Sequence, residues 1–363
     1  MNIVFRADSS INIGSGHIMR CLTLADLLAS RGHQCYFICR KHQGNLIDVI
    51  QAKGYTVFCL TLSNQTIAEN SVGKLYHSDW LGTTQEEDVK ESIEQLQQNN
   101  VIPDWIVVDH YALDEDWEIQ LNQTYPNTSI LVIDDLADRK HQCDLLLDQN
   151  LDADASKYFH QVNPIRTQAL LGVGYALLRP EFAKYRNFSL KRREEPLLKE
   201  ILINLGGIDK DNLTSRILFE LTKANLANDV HITVVMGKTA PHIESVKKLA
   251  NAYSTLNIDV VVNATDMAER MANADLAIGA AGSASWERCC LGLPTLLLVL
   301  AENQKKVAKI LDSSNIAEVV EVNQIAKKIE NLTACRLKEM SYNAKKLIDG
   351  NGALRVVSKM EQK

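Results

Sequence analysis

One histidine in this chain stands where acid–base chemistry needs one. Arg6-Ala7-Asp8 closes an apolar strand signal, Ser9 to Gly16 form a glycine-bearing loop, and His17 opens a helical pattern. In that pattern Ile18, Cys21, Leu22, Ala25, Leu28 and Ala29 recur at helical spacing, with Gly32 as the stop. His17 is therefore expected on the first turn of a helix, at the C-terminal end of a strand, where ligands bind in open α/β sheets. Gly14 and Gly16 let the backbone approach a ligand closely, and Asp8 ends the same strand. A helix N-terminus disfavours imidazolium, which leaves the ring neutral and able to accept a proton. A packing or capping role is the commoner one for an isolated histidine; the glycine loop outweighs it here. The loop is not a dinucleotide fingerprint, because Met19 replaces the third glycine, and no Gly-Lys-Ser/Thr follows to make a Walker loop.

A second set of residues suits a nucleoside diphosphate. Gly206 and Gly207 follow the strand signal Ile201-Leu202-Ile203-Asn204 and can turn N–H groups toward a diphosphate, although a plain βα turn has the same pattern. Gly279-Ala280-Ala281-Gly282-Ser283 is another strand-to-helix turn, in which Gly282 and Ser283 can donate to phosphate. Glu287, just inside that helix, can accept from ribose hydroxyls; its plainer role is a carboxylate favoured by the helix dipole. Asn303 and Gln304 reach the same edge after the next strand, with helix capping as their alternative. Three polar loops on one sheet edge favour the nucleotide reading.

Asp109 and Tyr111, flanking His110 at another strand end, are candidates for sugar contact, with a helix cap equally in view. Asp134-Asp135 has the form of a metal pair, but an Asp-rich surface loop is the commoner use, so neither metal nor cofactor is assigned. Glu86-Glu87-Asp88 reads as a solvated helix start, and Trp80-Leu81-Gly82 as core, with lining of the cleft as its alternative.

These residues must be positioned by βα units. Short apolar runs alternate with helical patterns along all 363 residues, which implies parallel sheets. The charged stretch Asn187 to Glu200 has no strand signal and is taken as the linker. Residues 1–186 then form an N-terminal Rossmann-like domain carrying the catalytic loop. Residues 201–363 form a C-terminal nucleotide-binding one, whose last helix can pack back on the first domain. The fold class is α/β, with two Rossmann-like domains facing a central cleft. A net charge of −6 provides no footprint for nucleic acid, so an anionic ligand must be held by local donors. The longest apolar run, Leu293 to Ala301, is far short of a membrane span. Eight cysteines without a CxxC pair or an export signal read as reduced thiols in the cytoplasm.

Taken together, Phe5-Arg6-Ala7-Asp8-Ser9-Ser10 and Gly14 through Ala25 resemble the opening of the UDP-sugar hydrolases of pseudaminic acid biosynthesis, to which a spore-coat polysaccharide group is related. The likeness continues through Ile133–Arg139, Cys143–Asn150, Tyr175–Phe182, Ser285–Pro294 and Glu302-Asn303-Gln304. It covers residues 1 to about 310, and the glycine turn departs from it at Ala281. The resemblance implies a GT-B-type fold and metal-independent hydrolysis of UDP-2,4-diacetamido-2,4,6-trideoxy-β-L-altropyranose. His17 would be the general base, Glu287 would hold the ribose, and Asn303 would lie near the sugar or diphosphate. The expected reaction is a single displacement by water at the anomeric carbon, with inversion. The alternatives are a GT-B glycosyltransferase with the same UDP-sugar donor and a non-catalytic nucleotide-sugar-binding subunit.

Overall fold

Ile3, Val4 and Phe5 are fully buried in the first strand, β1 (Asn2–Ala7), as a parallel strand with helices on both faces requires. The computed structural model describes residues 1–62 and 75–363. It divides into two units: Met1–Leu177 with Gly352–Lys363, and Leu178–Asn351.

In the first unit β1 is followed by β2 (Gln34–Arg40), β3 (Thr56–Leu60), β4 (Trp105–Asp109), β5 (Ser129–Ile133), β6 (Leu145–Asp148) and β7 (Gln168–Leu171). All pair in parallel, in the order β3-β2-β1-β4-β5-β6-β7. The order reverses at β1, so β1 and β4 are neighbours although about a hundred residues separate them, and Ala7 pairs with Asp109. Their C-terminal ends therefore lie side by side at the topological switch point.

Under that edge lies a cluster of buried charges. Arg6 donates to Asp88 at 3.0 and 2.6 Å and pairs with Asp8 at 2.8 Å, while Arg40 reaches Asp88 at 2.8 Å and Glu91 at 2.7 Å. Trp117 Nε1 adds a donor to Asp88 at 3.0 Å. Asp88 is thus a core carboxylate and not part of a solvated helix start. The start itself is capped by Thr84, whose hydroxyl accepts from Glu87 N–H.

The last helix, Gly352–Glu361, belongs to this unit. Val356, Val357 and Met360 are buried in the same core as Ile18, Leu22 and Leu28 of the first helix, Gly16–Ser30. Glu361 accepts a forked pair from Arg31 at 2.8 and 2.5 Å and a contact from His33 at 2.9 Å.

The second unit contains β8 (Glu200–Asn204), β9 (His231–Met236), β10 (Asn257–Val262), β11 (Leu276–Ala280), β12 (Thr295–Leu298) and β13 (Glu318–Val319), in the parallel order β10-β9-β8-β11-β12-β13. The division between units falls at Leu177–Leu178, earlier than the expected linker at 187–200. That charged stretch continues the helix Pro180–Arg192, which starts with proline at its first turn. Its charges are used internally. Arg193 is buried and donates to the carbonyls of Ser189, Met271, Ala272 and Ala274, and Arg192 grips Asp275 at 2.7 Å. No helix among the described residues is long and apolar enough to cross a membrane.

Candidate functional site

His17 lies on the first turn of helix Gly16–Ser30, which has no side-chain cap and no acidic residue in that turn. Gly14, at φ +81°, closes the preceding loop by donating its N–H to Ser10 O at 2.9 Å, and Gly16 is exposed. The His17 ring is mostly covered, and its Nδ1 lies 2.6 Å from Asp109 Oδ1. Asp109 is fully buried at the end of β4 and also takes a fork from Arg20, Nε to Oδ2 and Nη2 to Oδ1, both 2.6 Å. Burial by itself raises this carboxyl's pKa. The Arg20 guanidinium and then His17 overcome that and hold it below the usual carboxylate range, so it is ionised. An ionised Asp109 accepts from an Nδ1 that carries a proton, the tautomer in which a neutral ring has its lone pair on Nε2.

Tyr111 forms the adjacent wall. Its ring meets the His17 ring edge-on, centroids 4.7 Å apart, and its hydroxyl donates to Asp135 at 2.5 Å. Trp80 approaches His17 at 6.3 Å and Tyr111 at 5.9 Å, and His77 packs on Trp80 at 4.2 Å. Trp80, expected in the core, is only half-buried and belongs to this aromatic wall.

Two expected ligand contacts have internal roles instead. Asp109 holds His17 and Arg20 and exposes nothing. Asp8 is fully buried as well, accepting from Arg40 N–H at 2.7 Å and paired with Arg6, with His110 at 3.3 Å and His42 at 3.6 Å. Asp134 and Asp135 diverge: Asp134 accepts from Ala137 N–H and pairs with Arg139 at 2.8 Å, while Asp135 faces Tyr111 and Arg20. No group of three His, Cys, Asp or Glu among the described residues has the form of a metal site.

In the second unit the glycine loop after β8 is exposed, and Gly206 takes φ +97°, where a side chain would be strained. Gly207 packs its carbonyl against Gly237, which has no room for a β-carbon: the oxygen would be 2.1 Å from it. Asp209 caps the following helix, accepting from Leu213 and Thr214 N–H at 2.9 Å. The turn after β11 is backed by buried Arg288, whose Nη2 donates to Ala280 O at 2.7 Å and Ser285 Oγ at 3.0 Å. Its Nη1 fills the space a side chain on Gly279 would need, and burial lowers the guanidinium to about 10. Ser283 is exposed at the start of helix Ala284–Cys290, and its side chain makes no cap bond.

Glu287 follows in that helix, with Arg179 3.8 Å away; burial pushes its carboxyl above the usual range while Arg179 and Arg288 oppose the shift. Gln304 comes next to Gly282, its amide nitrogen 3.9 Å from where a side chain there would begin, and its Oε1 accepts from Leu300 N–H at 2.9 Å. Gly282, Ser283, Glu287 and Gln304 thus share the C-terminal edge of β11 and β12. Asn303 lies in the short helix Glu302–Gln304, and its side chain falls outside the described part of the chain.

Sequence reasoning placed Asp109 against the sugar and not against His17, took Asp135 for a surface loop, and missed Arg20. The spacing His17-x-x-Arg20, one helical turn, was the available signal, but Asp109 needs the β1–β4 adjacency that only the strand order supplies.

Comparison with known proteins agrees with this architecture. Residues 201–359 match the glycosyltransferase family 28 C-terminal domain. The chain is similar to an uncharacterized protein of Methanocaldococcus jannaschii, 26% identical over 309 residues that make up 84% of this chain. It spans 57% of that relative's length. It is also similar to the UDP-2,4-diacetamido-2,4,6-trideoxy-beta-L-altropyranose hydrolase of Campylobacter jejuni, 28% identical over 308 residues, covering 85% of this chain and 95% of the relative. Among solved structures, MurG of Acinetobacter baumannii matches with a TM-score of 0.67 at 16% identity, over 100% of this chain and 99% of that one. The fold is the two-domain parallel α/β fold of the GT-B glycosyltransferases.

Proposed function

We propose that this protein hydrolyses a UDP-activated diacetamido-trideoxy sugar, UDP-2,4-diacetamido-2,4,6-trideoxy-β-L-altropyranose, at the anomeric C–O bond. The observation that carries the reading is the contact of His17: its Nδ1 lies 2.6 Å from Asp109 at a strand end, which supports Nε2 as the base. The name of the Campylobacter jejuni relative, a hydrolase of this UDP-sugar, supports the choice of substrate. In this mechanism Nε2 removes a proton from water, the water oxygen bonds to the anomeric carbon, and the bond from that carbon to the diphosphate oxygen breaks. Its electron pair leaves with UDP, and the sugar inverts.

The nucleotide is assigned to the second unit. Backbone N–H groups at Gly206, Gly207, Gly282 and Ser283 face the diphosphate, and Glu287 accepts from the ribose. Asn303 and Gln304 complete that edge. UDP is a stable leaving group, so preorganised donors are enough and no step requires a metal.

Turnover in ¹⁸O-water tests the bond. Label is expected in the free sugar and absent from UDP, and the first anomer seen by proton NMR is inverted. Label in UDP means attack at phosphorus and ends the proposal. The second reading, a glycosyltransferase, has the family 28 domain match in its favour. UDP release at an unchanged rate with no acceptor present selects hydrolysis over transfer.

A further inference from the structure

We propose that Arg20 is a positioning residue for the base. It fixes the carboxylate that orients His17 and offsets that carboxylate's charge beside the ring. The inference rests on His17 being the base of the reaction proposed above.

Arg20 follows His17 by three residues, so both side chains leave the same face of one helix. Its fork occupies both oxygens of Asp109, and Oδ1 serves Arg20 Nη2 and His17 Nδ1 together, each at 2.6 Å. A carboxylate gripped this way cannot swing, so the ring it holds keeps one orientation and one tautomer. Cys21 Sγ at 3.5 Å from Asp109 Oδ2 closes the remaining side. A second arm runs from Arg20 Nη1 to Asp135, 3.9 Å away, and Asp135 fixes the hydroxyl of Tyr111, whose ring abuts His17. One guanidinium therefore ties together the two groups that set the ring's position.

Arg20 also acts through its charge. Its Nη2 lies 3.2 Å from His17 Nδ1. Among the described residues, the charged or titratable groups around the ring are Arg20 and Cys21 from its own helix, Asp109 and Tyr111 from the end of β4, Asp135 and Arg139 from the loop after β5, and His77 beside Trp80. With Arg20 present, the Asp109 charge is neutralised before the ring takes a proton. With Arg20 removed, the buried pair of Asp109 and His17 has lost its positive partner and takes up a proton more readily. The acid limb of the kcat/KM profile, which requires the neutral ring, then moves to higher pH.

The test compares Arg20→Met and Arg20→Lys with the unaltered protein. One measurement is the pH profile of UDP release from the UDP-sugar. The other is the ¹⁵N shifts of the His17 ring in ¹⁵N-histidine-labelled protein without substrate, assigned with His17→Gln. Arg20→Met is expected to lower kcat by about tenfold or more with KM little changed, and to raise the acid limb by roughly one pH unit. The ring nitrogens should titrate higher by the same amount. Arg20→Lys keeps the charge but loses the fork, so kcat falls while the acid limb stays near its original place. A loss of activity with profile and ring titration both unchanged would overturn the inference. If Arg20→Met does not fold, Arg20→Lys decides through its lowered kcat, and an unaffected kcat rejects the role. If the unaltered protein releases no UDP, the hydrolase reading fails separately, and the ring titration still judges Arg20.

Discussion

His17 and Asp109 each bring the other's chemistry into range. Asp109 is buried and would be costly as a lone charge, while the histidine needs a fixed acceptor at Nδ1 to present Nε2. If His17 is the base of the proposed hydrolysis, His17→Ala lowers kcat by about 10²–10⁴-fold and leaves UDP affinity by calorimetry unchanged, since a base acts in the transition state. Retention of more than about a tenth of kcat would remove His17 from the role. Asp148, at the end of β6, makes the opposite kind of site. It is 1% exposed, accepts from Asn150 N–H at 2.9 Å and Tyr158 OH at 3.1 Å, and burial raises its carboxyl to about 6. Above that pH it is ionised in folded and unfolded chains alike, and folding carries the cost of burying the charge. As pH falls through about 6 the folded state takes up a proton the unfolded state does not, so this group's penalty shrinks as the buried charge is lost. Asp148→Asn keeps the acceptor for Asn150, and Tyr158 can donate to Asp134 O at 3.0 Å instead. The variant should gain about 1–3 kcal/mol at mildly alkaline pH, the gain vanishing by about pH 4. Urea melts across that range measure it; a gain independent of pH would refute the assignment.

At the scale of elements, loops that face a ligand are shaped by what lies behind them. The loop Gly206–Gly207 rests on Gly237, which follows β9. Gly237→Ala must push the Gly207 carbonyl, a backbone atom, out of the way. Overpacking of this kind costs about 1–3 kcal/mol, and the displaced loop should lose UDP affinity by a comparable amount. Calorimetry with UDP, paired with a thermal melt, checks both; unaltered UDP binding would mean the loop is not part of the nucleotide site. The alternation of strands and helices, the helix start at His17 and the turn before Glu287 were all legible in sequence, because periodicity and glycine placement are local signals. Asp88 and Asp8 were misread because most of their partners arrive from other elements: Arg6, Arg40 and Trp117 at Asp88, and Arg40 N–H, His110 and His42 at Asp8. A carboxylate's solvation cannot be read from its own neighbours in the chain. The stretch 187–200 misled for the same reason: its arginines look like surface charge until the carbonyls of 271–274 are found around Arg193.

For the molecule as a whole, the last helix was foreseen only as a possibility of packing back, since nothing in Gly352–Glu361 names its partner. Its contribution is large. Val356, Val357 and Met360 are fully buried, each worth roughly 1.5–3 kcal/mol, and Glu361 locks the end of the first helix through Arg31 and His33. Removing residues 352–363 should take away most of the first unit's margin, typically about 5–15 kcal/mol for a domain, while leaving the second unit's core intact. Calorimetry should then show the first unit's unfolding transition lost or shifted far down, with hydrogen exchange still protected in β8, β9 and β11. Equal losses in both units would contradict this division.

That same return of the chain sets an order of events on the ribosome. Residues 178–351 are contiguous, so every strand of the second unit exists once Asn351 has been added. The first unit begins at Met1 yet still lacks the helix that covers Ile18, Leu22 and Leu28. Vectorial synthesis ordinarily lets the N-terminal domain fold first; here the half made earlier is completed later. Once Asn351 has left the ribosome, the chain carries a complete second half behind an open first one, with the face of its first helix bare to chaperones until helix Gly352–Glu361 emerges as well.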